Sequence, residues 1–319
     1  MTGKQGTAMS LDNRLLKNAV LGLAVGDAFG MPYETGKRGA YDVYVDARDE
    51  QGNHVLKGYR VGMPAYFYKE DMPAGIWTDD TAMTLCELES IARLGTVDQD
   101  DIMRNFCQWH YDGQFSAQGV AIGQGRQTIA ALARYLEGTE ATQCGGATER
   151  DNGDGSLMRM LPFVFTEALM VRSGADIRAL SSLTHAHDWS VMACEIYVRF
   201  ARLVASGAGR EELIKALKGY PAPFDRLADI ATMPEEDVQS SGFVVAALEA
   251  SLWCFFQTET FEDCVMKAIN LGGDADTIAA IAGSLAGLCR EVPQRWIRQL
   301  AGWEDIAQLC DDCIRVLDQ

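Results

Sequence analysis

No stretch of the 319-residue chain stays apolar for the roughly 18 to 20 residues that a membrane-spanning helix requires. The opening segment MTGKQGTAMS also lacks the apolar centre of a secretory signal. A cytoplasmic protein without a membrane partner is therefore expected. Positive charge is scarce as well: 28 Lys and Arg stand against 45 Asp and Glu, a formal net charge of -17. Such a chain lacks the Lys/Arg footprint that nucleic acid or an anionic lipid surface demands. An anionic substrate would be awkward for it unless cations mediate. Cysteines number nine, an odd count scattered along helical patterns, which suits reduced, buried thiols better than a disulfide framework. Cys310 and Cys313 form a C-x-x-C, but with no second pair and inside a helical pattern they read as structural.

Strand-like alternation is rare too, confined to YDVYVDAR and HVLKGYRV between residues 41 and 61. Helical periodicity fills most of the rest. SLDNRLLKNAVLGLAVGDAFG sets Leu15, Ala19, Val20 and Leu23 on one face, after a cap at Ser10 or Asp12. DWSVMACEIYVRFARLVASG spaces Val191, Cys194, Val198, Ala201 and Val204 three and four apart, with Asp188 as N-cap and Gly207 as the stop. Similar patterns predict helices near 79–94, 99–111, 126–137, 175–185, 242–257, 261–271, 276–289 and 303–317. The expectation is an all-α fold, one compact domain over 13–319 after an N-terminal extension at 1–12. An irregular or strand-like excursion at 31–76 is too long for a simple connector and is expected to border a site. The segment 207–241, with Pro221, Pro223 and Pro234, is the best candidate for an exposed loop or a boundary.

Two short stretches carry unusual chemistry. In WTDDTAM, Thr78, Asp79, Asp80 and Thr81 stand where a helix begins, and adjacent acids repel. Helix capping and the helix dipole explain one such cluster by themselves. A second cluster, GGDADTIAAIAG, again crowds Asp274, Asp276 and Thr277 at a helix start, nearly two hundred residues later. Two such clusters point to one site that holds hard divalent cations, which take several oxygen ligands. Asp274 and Asp276 converge only on irregular backbone, which Gly272 and Gly273 permit. The sequence after DAD excludes an EF-hand, and a ligand set made only of oxygen disfavours zinc. Magnesium or manganese fits, with enough carboxylates for two ions.

Two further stretches are weaker signals. GLAVGDAFGMPYE runs from a glycine-punctuated helix, in which Gly26 and Gly30 suit close packing, to Glu34. DNGDGSLMRM at 151–160 looks like backbone N–H groups turned to an anion at the start of a helix SLMRMLPF, although Asn-Gly and Asp-Gly are also common turns.

From about residue 13 to 290, the pairing of WTDDTAM with GGDADTIAAIAG resembles the ADP-ribosylglycohydrolase family. The resemblance implies a compact all-helical fold carrying two divalent cations, Mg2+ or Mn2+. It implies hydrolysis of the bond between the distal ribose of ADP-ribose and a modified protein side chain, with ADP-ribose as product. By motif, the metal ligands would be Thr78, Asp79, Asp80, Asp274, Asp276 and Thr277. Glu34 matches the family's mobile glutamate, and Glu34 and Asp79 are the expected catalytic carboxylates. Asn152, Gly153, Asp154, Gly155 and Ser156 would lie along the diphosphate and ribose, with His185 near the phosphates. His187 has no such match and reads as a helix-end residue.

Two departures stand out. Asp154 replaces the usual Asn of GNGS, which places an extra anion near the substrate. Gly123 and Gly125 stand where the nitrogenase-type branch has an Asp-containing sequence, so the linkage, arginine or serine, stays open. Two other readings remain at this point: a catalytically degenerate ADP-ribose-binding protein, and a two-metal nucleotide phosphohydrolase attacking phosphorus.

Overall fold

Apolar spacing becomes helix almost throughout the computed structural model, which describes residues 11–319. The proposed cap at Ser10 and most of the expected 1–12 extension lie outside the described residues. The first helix, α1 (Leu15–Gly30), is buried along most of its length and carries one acid, Asp27. A single helical turn, α2 (Val43–Asp46), precedes the longer α3 (Asp79–Leu94) and α4 (Gln99–Asp112). Then come α5 (Arg126–Leu136), α6 (Glu167–Ser173) and α7 (Ile177–Ser182). The chain continues through α8 (Asp188–Ala205), α9 (Arg210–Ala216), α10 (Val244–Gln257) and α11 (Phe261–Asn270). It closes with α12 (Ala275–Gly287), α13 (Gln294–Ile297) and α14 (Trp303–Leu317). β pairing among the described residues is limited to three isolated bridges, so the fold is all-α and forms one domain. No helix among them is long and apolar enough to cross a membrane.

The centre of the molecule is the antiparallel pair α1 and α12, the most extensive helix contact in the fold. Small residues bring the two backbones together. A Cβ on Gly26 would stand 2.1 Å from the Ala279 carbonyl oxygen, and one on Gly30 would stand 2.5 Å from the Cα of Asp276. Gly22 meets Gly283 in the same way. This contact sets the end of α1, which leads to Glu34, beside the start of α12, which carries Asp276. The α10 and α11 helices pack on α12, while α14 and α4 flank α3.

Several local expectations need correction. YDVYVDAR forms no strand: Asp42 caps α2 by accepting the Tyr44 N–H at 3.0 Å. The tyrosines that suggested alternation anchor the segment to α11 instead. Tyr41 Oη donates to the Ile269 carbonyl at 2.8 Å and Tyr44 Oη to that of Asp263 at 3.3 Å. Of HVLKGYRV, only His54 pairs, in an isolated bridge to Arg48. SLMRMLPF is not an α-helix but two 3-10 turns, Leu157–Arg159 and Leu161–Val164. Pro162 has no N–H to give and pushes the preceding residue away from helical geometry. The helix expected at 175–185 ends at Ser182, because the Thr184 carbonyl accepts the Gly146 N–H and the chain turns there. His187, not Asp188, caps α8, its ring accepting the Trp189 N–H at 3.2 Å. The segment 207–241 is not a boundary: Leu213, Phe224, Leu227 and Ile230 join the main core. All nine cysteines are free thiols, and Cys310 and Cys313 are buried on α14.

Candidate active site

The first acidic cluster is anchored by a residue that the sequence reading passed over. Asp27 is fully buried near the end of α1 and accepts hydrogen bonds from four donors around the start of α3. Thr78 donates its N–H at 2.9 Å and its hydroxyl at 2.9 Å; Thr81 donates its N–H at 3.0 Å and its hydroxyl at 2.6 Å. The α3 N-terminus, with its unpaired N–H groups, is thereby fixed against α1. Asp79 and Asp80 occupy its first turn. A lone carboxylate inside an otherwise apolar helix was the available signal for Asp27, since such a residue is rarely buried without partners.

The second cluster stands on a turn that needs glycine. Gly272 and Gly273 each have φ of 72°, the left-handed region that other residues disfavour. Gly273 is tied to the excursion: its N–H donates to Gly36 at 2.8 Å and its carbonyl accepts from Thr35 at 2.6 Å. Asp274 then stands at the N-cap position of α12 without a capping hydrogen bond from its side chain, and Asp276 and Thr277 follow in the first turn. The two clusters meet at Asp80, whose Oδ2 accepts from Thr277 Oγ1 at 3.5 Å and lies 3.0 Å from Thr78 Oγ1. Glu34 joins from the end of the first helical segment: one carboxylate oxygen each from Glu34, Asp274 and Asp276 lie within 4.8 Å of one another.

These acids open into a cleft of about 280 Å³. Glu34, Asp79, Asp274, Asp276 and Thr277 line it together with Arg126, Arg150, Asp151, Thr128, His185 and the glycines at 153 and 155. Gly123 packs directly on the acids, where a Cβ would stand 2.4 Å from Asp79 Oδ1. Burial, then repulsion from neighbouring carboxylates, holds Asp79, Asp80 and Asp276 well above the ordinary carboxylate range. Glu34 is pushed up to about 8 by burial and by Asp274. No Lys or Arg forms an ion pair with any of these acids among the described residues. Buried oxygens without partners include Asp80 Oδ1, Glu34 Oε2 and Asp154 Oδ2. An all-oxygen donor set with unpaired, mutually repelling carboxylates fits hard divalent cations, which would reverse those shifts.

Similarity to known proteins agrees with this geometry. The sequence profile described as ADP-ribosylglycohydrolase matches residues 8–319. The chain belongs to the ADP-ribosylglycohydrolase family. Its relatives include an ADP-ribosyl-[dinitrogen reductase] glycohydrolase of Rhodospirillum rubrum, 30% identical over 92% of each chain. An ADP-ribosylarginine hydrolase of Serratia proteamaculans (strain 568) is 28% identical, covering 92% of this chain and 77% of its own. A solved structure titled an ADP-ribosylglycohydrolase-related protein complex superposes with a TM-score of 0.74 and 29% identity, covering 95% of this chain and 98% of its own. The chain is therefore an enzyme, an ADP-ribosyl hydrolase by family.

Within this glycohydrolase the remaining expected site residues fall in two groups. Gly123, Gly125, Gly153, Gly155, Asp154 and His185 line the cleft. The side chains of Asn152 and Ser156 do not: Asn152 Oδ1 accepts from Ser190 Oγ at 3.0 Å, and Ser156 Oγ accepts from Ser181 Oγ at 3.0 Å. They hold the glycine turn in place from behind. Asp154 stands close to Asp274. A Cβ on Gly242 would stand 2.7 Å from Asp274 Oδ2 and 3.9 Å from Asp154 Oδ1. The extra anion thus adds to the cation-demanding cluster. Arg126 and Arg150, which no motif singled out, form no ion pair among the described residues. Scattered arginines carry no spacing signal; only the fold brings them to one cleft.

Proposed function

We propose that this enzyme removes ADP-ribose from a modified arginine side chain of a protein, cleaving at the anomeric carbon of the distal ribose. The observation that carries the reading is one cleft lined both by convergent acids and by two arginines, Arg126 and Arg150, that form no ion pair among the described residues. ADP-ribose has matching groups, a neutral ribose diol joined to an anionic diphosphate. Thr78, Asp79, Asp80, Asp274, Asp276 and Thr277 would hold two divalent cations, Mg2+ or Mn2+, with Asp154 and Glu34 beside them. Bound there, such cations supply positive charge that acidifies a water and offsets charge on the ribose oxygens. The name of the Serratia relative, an ADP-ribosylarginine hydrolase, supports the arginine linkage over a serine one.

The chain's own residues then have these tasks. Arg126 and Arg150 bind the diphosphate by charge-assisted hydrogen bonds. Glycine at 153 and 155 lets backbone approach the substrate where a side chain would obstruct it. As water adds to the anomeric carbon, the carbon–nitrogen bond to the guanidine breaks through an oxocarbenium-like state. Glu34 or Asp79, both lining the cleft, takes the water's proton, and that proton is returned to the departing nitrogen. The test is release of ADP-ribose from proteins modified separately on arginine and on serine. Release from the arginine-linked protein, at least about tenfold faster than from the serine-linked one, is expected. Release of AMP instead would mean attack at phosphorus, and binding without release would mean a degenerate binder.

A further inference from the structure

Behind His185 lies a buried chain of side chains that the chemistry above leaves unused. Glu87 and Arg159 form an ion pair with neither side chain exposed. Arg159 Nη2 donates to the Leu180 carbonyl at 3.0 Å and to Thr184 Oγ1 at 3.0 Å. Thr184 Oγ1 in turn lies 2.9 Å from Nδ1 of His185. The backbone here is pinned: His185 N–H donates to the Ser181 carbonyl at 2.8 Å, and Gln127 Nε2 donates to the Thr184 carbonyl at 3.1 Å. The His185 ring lines the cleft, and its Nε2 makes no hydrogen bond to protein among the described residues. That nitrogen faces the glycine turn, since a Cβ on Gly153 would stand 3.4 Å from it.

Donor and acceptor chemistry then fixes the proton. A guanidinium has only donors, so Thr184 Oγ1 must accept from Arg159. The threonine's single hydrogen has to go elsewhere. Thr184 is fully buried, and the one acceptor in contact with its hydroxyl is His185 Nδ1. Nδ1 is therefore the accepting nitrogen, and the neutral ring carries its hydrogen on Nε2. We propose that Arg159, acting through Thr184, locks His185 as a neutral Nε2–H donor facing the cleft. The ligand half, an anionic diphosphate oxygen as its acceptor, is what the family resemblance already implies and rests on the reading of the cleft as an ADP-ribose site; the lock itself does not. Burial and the adjacent Arg159 charge keep the ring neutral, holding its pKa down to about 3. The donor is thus the same at every pH at which the protein works. Arg159 and Thr184 are positioning residues, and Glu87 holds Arg159 in place.

The experiment uses the full chain labelled with 15N-histidine, four rings in all. Long-range nitrogen–proton spectra report the tautomer of each, and His185→Asn identifies the relevant signal. Wild type should show His185 as the Nε2–H form, unchanged between pH 5 and 8. Thr184→Val should populate the Nδ1–H form and weaken ADP-ribose binding about tenfold by calorimetry, one lost buried hydrogen bond. Thr184→Ser, which restores the hydroxyl, should recover both. If wild-type His185 carries Nδ1–H or titrates near neutral pH, the lock is overturned, whatever the variants do. An unchanged tautomer in Thr184→Val overturns the relay through threonine. If wild type shows Nε2–H but binds no ADP-ribose, the ligand half and the proposed function fail, while the tautomer lock stands.

Discussion

Asp276→Asn should lower ADP-ribose release by on the order of a thousandfold, because it removes a proposed cation ligand, worth about 4 kcal/mol of transition-state stabilisation on this reading. Asp276 sits in the first turn of α12, where its Oδ1 accepts the Thr277 N–H at 3.0 Å. Asparagine keeps that acceptor, so the local backbone is preserved. Removing one of several mutually repelling buried charges should, if anything, stabilise the cation-free protein. Two assays separate the effects: rates of release with saturating Mn2+, and thermal unfolding with chelator. The expected pair is lost turnover with an unchanged or raised melting temperature. Turnover within tenfold of wild type would remove Asp276 from the ligand set.

Asp27→Ala should be damaging for a different reason. It leaves three donors, the Thr78 N–H and the Thr81 N–H and hydroxyl, buried at the start of α3 without their acceptor, while the Thr78 hydroxyl can turn to Asp80. At roughly 1 kcal/mol or more for each, the loss is about 3 kcal/mol. Thr78 and Asp80 would lose their fixed position as well, so cation affinity should fall along with stability. Urea unfolding in chelator measures the first effect, and calorimetric titration with Mn2+ measures the second. A stability loss under about 1 kcal/mol would show that Asp27 is not the anchor. Asp27→Asn, which keeps one carbonyl acceptor, should lie between the two.

The long helices and both acidic clusters were legible because their signals are local. Apolar spacing placed α3 within a residue of its ends, and paired glycines announced the turn before Asp274. The irregular excursion was legible, but YDVYVDAR was misread as strand-like because tyrosine alternation looks the same whether the hydroxyls anchor to a helix or the rings face a sheet. Asp27 was missed because its partners, Thr78 and Thr81, lie about fifty residues away. Arg126, Arg150 and the Glu87–Arg159–Thr184–His185 chain belong to the same class: each depends on contacts between distant segments, which no periodicity encodes. Asp154 was recognisable as a departure, but only the fold shows that it faces Asp274.

The central claim is that the acids from α1, α3 and α12 form one cation-dependent hydrolytic site. The most direct test strips the protein with chelator, removes the chelator, and follows ADP-ribose release from an arginine-modified protein before and after adding Mn2+ or Mg2+. The account predicts no release above background from the stripped protein and full recovery once the cation is restored. Release by the stripped protein at the undepleted rate would contradict it.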